Sequence, residues 1–223
     1  MTTRRALVAL VTLAASGWAL IACARSPESA LEKWHAGTHY KFAPAPQPPS
    51  VGAGKVEVNE VFWYGCGHCY ALDPALESWK ASKAPYVEFV RIPVIWGEVH
   101  RQHAKLFYTL QALHRPELHT KVFDAIHKLG MALSARDEAE ARALHFGFLS
   151  GEGVTKKEFD AAYDSMSVAT DLARAEEFTR KFEVGSVPLM VVNRKYITSV
   201  SDAGSEAKMI SLVNDLAASE KAR

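Results

Sequence analysis

Two cysteines separated by two residues, directly after a strand-like run, constrain this chain more than any other feature. Residues 56–63 are rich in β-branched and aromatic side chains, which predicts a strand, and Gly65 interrupts the run. Cys66-Gly67-His68-Cys69 follows, and the apolar spacing over residues 70–76 predicts a helix that begins at this motif. At the start of a helix, Cys66 would meet free N–H groups and the positive end of the helix dipole, which favour its thiolate. The stretch therefore predicts a redox-active dithiol.

The roles of the two cysteines follow from their positions. Cys66 comes first and follows a glycine, so we expect it to be exposed and to act as the nucleophile, whereas Cys69 lies one turn into the helix and would resolve the mixed disulfide. His68 would stabilise the Cys66 thiolate by charge or by a hydrogen bond, unless it is only a solvated loop residue. An inert structural disulfide is the alternative for the pair, although a loop of two residues is strained and easily reduced.

The cysteine count limits other uses of the motif. Three cysteines are too few for a disulfide scaffold, and no second CxxC completes the four ligands of a zinc site. A c-type haem site would need histidine after the second cysteine, where the chain has Tyr70. We therefore expect no metal site, and the remaining alternative of this kind is a ligand clamp without catalysis.

Length and composition favour a globular protein. The 223 residues are 48% hydrophobic and 23% charged, which suits one domain, or one domain with an insertion, and a substantial core. The formal net charge is +1 and no basic cluster stands out, so nucleic-acid binding is not expected.

The N-terminus is typical of an exported protein. Residues 1–22 contain Arg4 and Arg5 and then an apolar run shorter than the roughly 20 residues of a comfortable membrane span. The sequence from Leu20 to Cys23 resembles a bacterial lipobox, in which Cys23 becomes lipidated and anchors the protein to a membrane. An ordinary cleavage that removes Cys23, or an uncleaved anchor, are the alternatives. All three place the redox motif outside the cytoplasm.

The remaining pattern predicts an α/β chain interrupted by helices. Proline-rich residues 23–54 form an N-terminal arm or tether that docks in part on a sheet edge, and residues 86–94 predict a second strand. Residues 98–167 are helical in pattern, with one helix beginning at Ser134 and another capped by Thr155 and Glu158. A helix over 167–182 closed by Gly185, a hairpin around Asn193-Arg194 and a helix over 205–218 complete the chain.

Three segments carry a family resemblance. FWYGCGHCYALDP around the motif, KKEFDAAYDSMSV at 156–168 and EVGSVPLMVVNRKYI at 183–197 resemble the DsbA family of bacterial thiol:disulfide oxidoreductases, in the same order. The resemblance runs from about Lys55 to the C-terminus. It implies a thioredoxin-like fold built from 55–97 and 168–223, with an inserted helical domain at 98–167. That insertion would lie over the redox site and help to shape a substrate groove.

The resemblance also implies further site residues. Strand alternation would bury Glu60, and the matching family position holds an acid that moves the proton of the resolving cysteine; a surface glutamate is the alternative. Pro188 resembles the cis-proline that faces the CxxC, and the backbone of Val187 would pair with an extended substrate. Gly67 departs from the family's more familiar proline and matches protein disulfide isomerase, which leaves the redox potential open.

The implied function is the introduction of disulfide bonds into reduced, unfolded exported proteins in the periplasm. A membrane oxidant resembling DsbB would reoxidise the cysteines, and no bound cofactor is needed. The rivals are a disulfide isomerase or reductase on the same fold and a non-catalytic periplasmic binding or chaperone module. Isomerases often have a separate dimerisation region, and none is visible here, which argues against an isomerase and favours a monomer. Glu60, His68 and Pro188 favour a catalytic protein over a binding module.

Overall fold

The structure, a computed structural model, describes residues 31–222. The predicted export signal and Cys23 lie outside these residues. Between residues 31 and 222, no helix combines the length and the apolar character needed to cross a bilayer.

A five-stranded mixed sheet forms the centre of the fold. Its order is β1-β5-β4-β2-β3; β2 and β3 run parallel, and the other neighbouring pairs are antiparallel. The strands are β1 (Lys41–Phe42), β2 (Val56–Phe62), β3 (Val87–Pro93), β4 (Leu189–Val192) and β5 (Tyr196–Thr198). All seven residues of β2 are buried, as expected of a strand covered on both faces.

Helices cover both faces of this sheet and form a second core beside it. They are α1 (Gly67–Ser82), α2 (Glu98–Ala112), α3 (Leu118–His127), α4 (Glu138–Gly151), α5 (Lys156–Tyr163), α6 (Met166–Lys181), α7 (Val200–Ala203) and α8 (Glu206–Lys221). Apolar residues of α1 and α8 pack on one face of the sheet, and α6 packs on the other. A third cluster joins α2–α5 to Phe62, Tyr64 and Cys69, so the helical segment packs directly behind the redox motif.

Several local predictions are confirmed. The hairpin turns at Asn193 and Arg194, both with positive φ (50° and 54°), and Thr155 and Glu158 form the expected capping box. The N-terminal arm docks on the sheet edge, where β1 pairs with β5. This pairing covers one edge of the sheet.

Two predicted helix boundaries are wrong. The helix expected from Ser134 begins at Glu138, because Asp137 caps it by accepting a hydrogen bond from the backbone N–H of Glu140 at 2.9 Å. Gln102 of α2 bonds both backbone groups of Ala135, which holds the preceding residues in a non-helical path. Helix α6 ends at Lys181, and the chain turns at Glu183 (φ 49°) rather than at Gly185.

Candidate active site

The redox motif lies where β2 leaves the sheet and α1 begins. A turn spans residues 63–66 and is closed by the Cys66 N–H, which donates to the Trp63 carbonyl at 3.0 Å. Cys66 is the N-cap of α1, and its sulfur accepts a hydrogen bond from the Cys69 N–H at 3.3 Å. A Cβ at Gly65 would collide with the Trp63 indole, so only glycine allows this ring to cross the turn.

The two cysteines are chemically unequal. Both are free thiols; Cys66 is partly exposed, whereas Cys69 is fully buried. Hydrogen bonding from the Cys69 thiol, and then from the backbone N–H groups of Cys69 and His68, lowers the pKa of Cys66 to about 6 despite partial burial. The charge of the exposed His68 imidazole acts in the same direction. Burial raises the pKa of Cys69 far above its ordinary value, so near pH 7 the site holds one thiolate and one thiol.

Glu60 is buried behind these cysteines. It lies on β2 opposite Arg91 of β3, whose Nε donates to one carboxylate oxygen at 2.7 Å. The other oxygen, Oε1, has no hydrogen-bond partner among the described residues. Burial, only partly offset by Arg91, raises the pKa of Glu60 to about 7, and its charge in turn raises the pKa of Cys69. The site therefore contains a carboxyl group that can exchange a proton near neutral pH.

Sequence reasoning missed Arg91. Its guanidinium also donates to Asp73 at 2.8 Å and to Glu77 at 2.6 Å, both on α1. The Arg91 guanidinium on β3 thus connects the carboxylates of α1 to the buried Glu60 of β2. The sequence did contain a signal for this role: Arg91 lies inside a largely apolar strand, where a buried charge needs partners of opposite charge.

The loop before β4 lies opposite the cysteines. The Val187–Pro188 peptide bond is cis, and the Cys66 sulfur lies 3.6 Å from the Val187 carbonyl oxygen. Beside this contact is a groove of about 790 Å³, whose walls include Phe42, His68, Ala71, Phe182, Val187, Leu189 and Ile197. Three predicted site residues, His68, Val187 and Pro188, therefore line one cleft.

The helical segment lies against the redox site, where Cys66 and Val187 pack on the apolar cluster that includes α2–α5. Every described residue that lines the groove lies outside residues 98–167. The helices instead contact the turn ahead of Cys66 through three histidines, His103, His119 and His127. In the sequence these three histidines are far apart, and their convergence depends on how α2 and α3 pack. Among residues 31–222, no group of three or more His, Cys, Asp or Glu side chains is arranged to hold a metal ion.

The known proteins that resemble this chain in sequence and in structure carry the same name. No family profile matches the sequence. The chain is 36% identical over 174 residues to the thiol:disulfide interchange protein DsbA of Azotobacter vinelandii, covering 78% of each chain. It is 34% identical over 192 residues to DsbA of Pseudomonas aeruginosa, covering 86% of this chain and 88% of the relative. The crystal structure of Pseudomonas aeruginosa DsbA superposes with a TM-score of 0.77, covering 85% of this chain and 95% of that one.

Proposed function

The chain belongs to the DsbA family of thiol:disulfide interchange proteins and is a thiol:disulfide oxidoreductase with a thioredoxin fold and a helical insertion, and we propose that it introduces disulfide bonds into reduced exported proteins. The observation that carries this proposal is the stabilised Cys66 thiolate beside a buried Cys69 thiol. Whatever stabilises the reduced form makes the disulfide form a stronger oxidant, by about 1.4 kcal/mol for every 30 mV.

The reaction uses the two sulfurs in sequence. A substrate thiolate attacks the Cys66 sulfur of the Cys66–Cys69 disulfide, and the electron pair of the broken S–S bond leaves on Cys69. A second substrate thiolate then attacks the substrate sulfur of the mixed disulfide and expels Cys66 as a thiolate. The substrate loses two electrons and gains a disulfide, while the protein gains two electrons and becomes the dithiol. No bound cofactor takes part in these steps.

Glu60 handles the proton of the buried cysteine. When Cys69 leaves as a thiolate inside the core, an uncompensated charge would be costly there. Protonated Glu60 supplies the proton, and ionised Glu60 accepts it again when the dithiol is reoxidised; a pKa of about 7 suits both directions. Its oxygen Oε1, which no group within residues 31–222 hydrogen-bonds, is available for this exchange.

The groove beside the cysteines receives the substrate. An extended, unfolded segment would lie along the Val187 backbone and place its cysteine at Cys66, which is only 3.6 Å from the Val187 carbonyl oxygen. The mixed apolar and polar walls of the groove would accept varied side chains without strict sequence requirements.

The cellular setting completes the proposal. Residues 1–22 direct export to the periplasm, and Cys23 is the site of lipidation that anchors the protein to a membrane. A membrane-bound oxidant of the DsbB type reoxidises the dithiol. We assign the thioredoxin-like domain to 55–97 plus 168–223 and the helical insertion to 98–167, and we expect the protein to act as a monomer.

The redox equilibrium of Cys66–Cys69 with glutathione tests the direction of electron flow. Residues 24–223 would be equilibrated with mixtures of reduced and oxidised glutathione, and the fraction of dithiol would be read by alkylation of free thiols. We expect a potential well above that of thioredoxin and a loss of disulfide transfer in Cys66→Ser. A potential close to that of thioredoxin would support a reductase instead, and the absence of a reversible couple would remove the enzymatic function.

A further inference from the structure

Three histidines of the helical segment hold the turn that leads into Cys66. His103 comes from α2, and His119 and His127 come from the two ends of α3. All three bond to Trp63 or Tyr64, the two residues between β2 and the glycine before Cys66. The helical segment therefore acts on the nucleophile through the turn that precedes it.

His103 fixes the Trp63 side chain. The indole N–H can only donate, so Nδ1 of His103 accepts its bond at 3.0 Å, and the proton of the neutral ring lies on Nε2. Nε2 donates to the Ala132 carbonyl at 2.8 Å. Burial lowers the pKa of His103 to about 4, so the ring stays neutral at pH 7 and keeps this pattern. The indole also packs near His100, with ring centroids 4.5 Å apart.

His119 fixes the Tyr64 side chain in the same manner. The Tyr64 hydroxyl lies 2.9 Å from Nδ1 of His119, and Nε2 lies 3.5 Å from the Asp73 carboxylate. The carboxylate favours the proton on Nε2, so the hydroxyl donates to Nδ1. Burial lowers the pKa of His119 to about 4, and the ring is neutral near pH 7.

His127 acts on the backbone of the turn. Its Nε2 donates to the Tyr64 carbonyl at 2.8 Å, and its ring stacks on Tyr70 with centroids 4.7 Å apart and an interplanar angle of 4°. The Tyr64–Gly65 peptide is the central peptide of the turn closed by Trp63 and Cys66. With glycine in the third position, a flip of this peptide converts such a turn between type I and type II, and type II needs positive φ at the glycine. Gly65 is not among the residues with positive φ, so only one of the forms is present.

We propose that His127 is a positioning residue for the nucleophile: by binding the Tyr64 carbonyl, it prevents the central peptide of the turn from flipping and keeps Cys66 at the N-cap of α1. His103 and His119 support it by fixing the two side chains of the same turn. A flipped peptide would point the Tyr64 carbonyl away from His127 and change the path by which the chain enters Cys66. The N-cap contact with Cys69 that stabilises the thiolate would then be weakened. This inference rests on the proposed role of Cys66 as the nucleophile.

Different replacements of His127 distinguish the effect of its hydrogen bond from the effect of its ring stacking. His127→Phe keeps an aromatic ring for Tyr70 but lacks the donor, whereas the amide nitrogen of His127→Gln can take the place of Nε2. We expect His127→Phe to raise the pH at which the Cys66 thiolate forms, read by its ultraviolet absorbance in the reduced protein. The rate of disulfide exchange at pH 7 should fall about 2- to 10-fold, the range that one neutral hydrogen bond contributes. His127→Gln should restore both quantities, and His127→Met provides a second variant without a donor.

His145 offers a matched control. Its Nε2 donates to the Leu133 carbonyl at 2.8 Å, which is the same kind of bond inside the helical segment but not to a residue of the turn. His145→Phe should lower the free energy of unfolding without moving the Cys66 titration. Equal titrations for His127→Phe, His127→Met and the wild type would overturn the inference, and so would an equal shift in His145→Phe. Retained disulfide transfer in Cys66→Ser would instead overturn the proposed function, so the two failures are distinguishable.

Discussion

Glu60→Gln should remove a large pH-dependent contribution to stability. In the folded protein, burial raises the pKa of Glu60 from 4.5 to about 7. Each pKa unit corresponds to about 1.36 kcal/mol, so the difference amounts to about 3 kcal/mol. Because the folded state binds this proton more tightly, the contribution is fully present below pH 4.5 and is lost as the pH rises through 7. Glutamine keeps the shape of the side chain but carries no titratable proton.

The measurement is the free energy of unfolding in urea, for oxidised wild type and oxidised Glu60→Gln, between pH 4.5 and pH 7.5. In the oxidised protein Cys66 has no thiol to titrate. The lowered pKa values of the buried histidines make the free energy of unfolding rise over the same pH range. This contribution is the same in both proteins, so it cancels in their difference. We expect wild type to lose about 3 kcal/mol relative to the variant over this range.

Glu57→Gln is the matched control. Glu57 is equally buried on β2, but Arg194 and Ser50 bond it at the end of the strand away from the cysteines. Its replacement measures the cost of removing a buried, arginine-bonded carboxylate, and it should leave the rate of disulfide exchange unchanged. Glu60→Gln should slow this exchange, because Cys69 then has no neighbouring carboxyl group that can donate or accept its proton. A difference between wild type and Glu60→Gln that does not change with pH would refute the elevated pKa and with it the proposed proton transfer.

Three further predictions concern neighbouring groups. In urea unfolding, the free energy of unfolding of the reduced protein should rise relative to that of Cys66→Ser between pH 6 and pH 8. The lowered pKa of Cys66 means that its thiolate stabilises the folded state, and this stabilisation is lost as the pH falls through 6. The part of this contribution that develops between pH 6 and pH 8 corresponds to about 2 kcal/mol, and solvent screening at the partly exposed thiol reduces it to about 1 kcal/mol. Arg91→Met should lower the free energy of unfolding at pH 7 by about 3–5 kcal/mol, because it leaves buried Glu60 and Asp73 without their cation; an effect below about 1 kcal/mol would contradict this. Gly65→Ala should cost about 1–3 kcal/mol in thermal unfolding and slow disulfide exchange, since its Cβ collides with the Trp63 indole; wild-type behaviour would show that the turn tolerates a side chain.

The sequence by itself determined the local chemistry of this protein. The strand, the glycine, the CxxC and the following helix lie within 21 residues, so their geometry depends on short-range rules of alternation and helix capping. The same rules predicted the Asn193-Arg194 hairpin, the Thr155 capping box and the burial of Glu60. They also predicted the inequality of Cys66 and Cys69, since the start of a helix favours a thiolate at its first residue and not one turn later.

Only the tertiary structure decided which distant side chains complete the site. The parallel register of β2 and β3 pairs Glu60 with Arg91, and the packing of α2 and α3 brings His103, His119 and His127 to one turn. The same packing moved the start of α4 from the predicted Ser134 to Glu138, because hydrogen bonds from α2 hold the preceding residues. Periodicity encodes which face of an element is buried, but not the rotation and register at which two elements meet. Contacts between residues far apart in the chain depend on that register, and they were therefore invisible until the helices were packed.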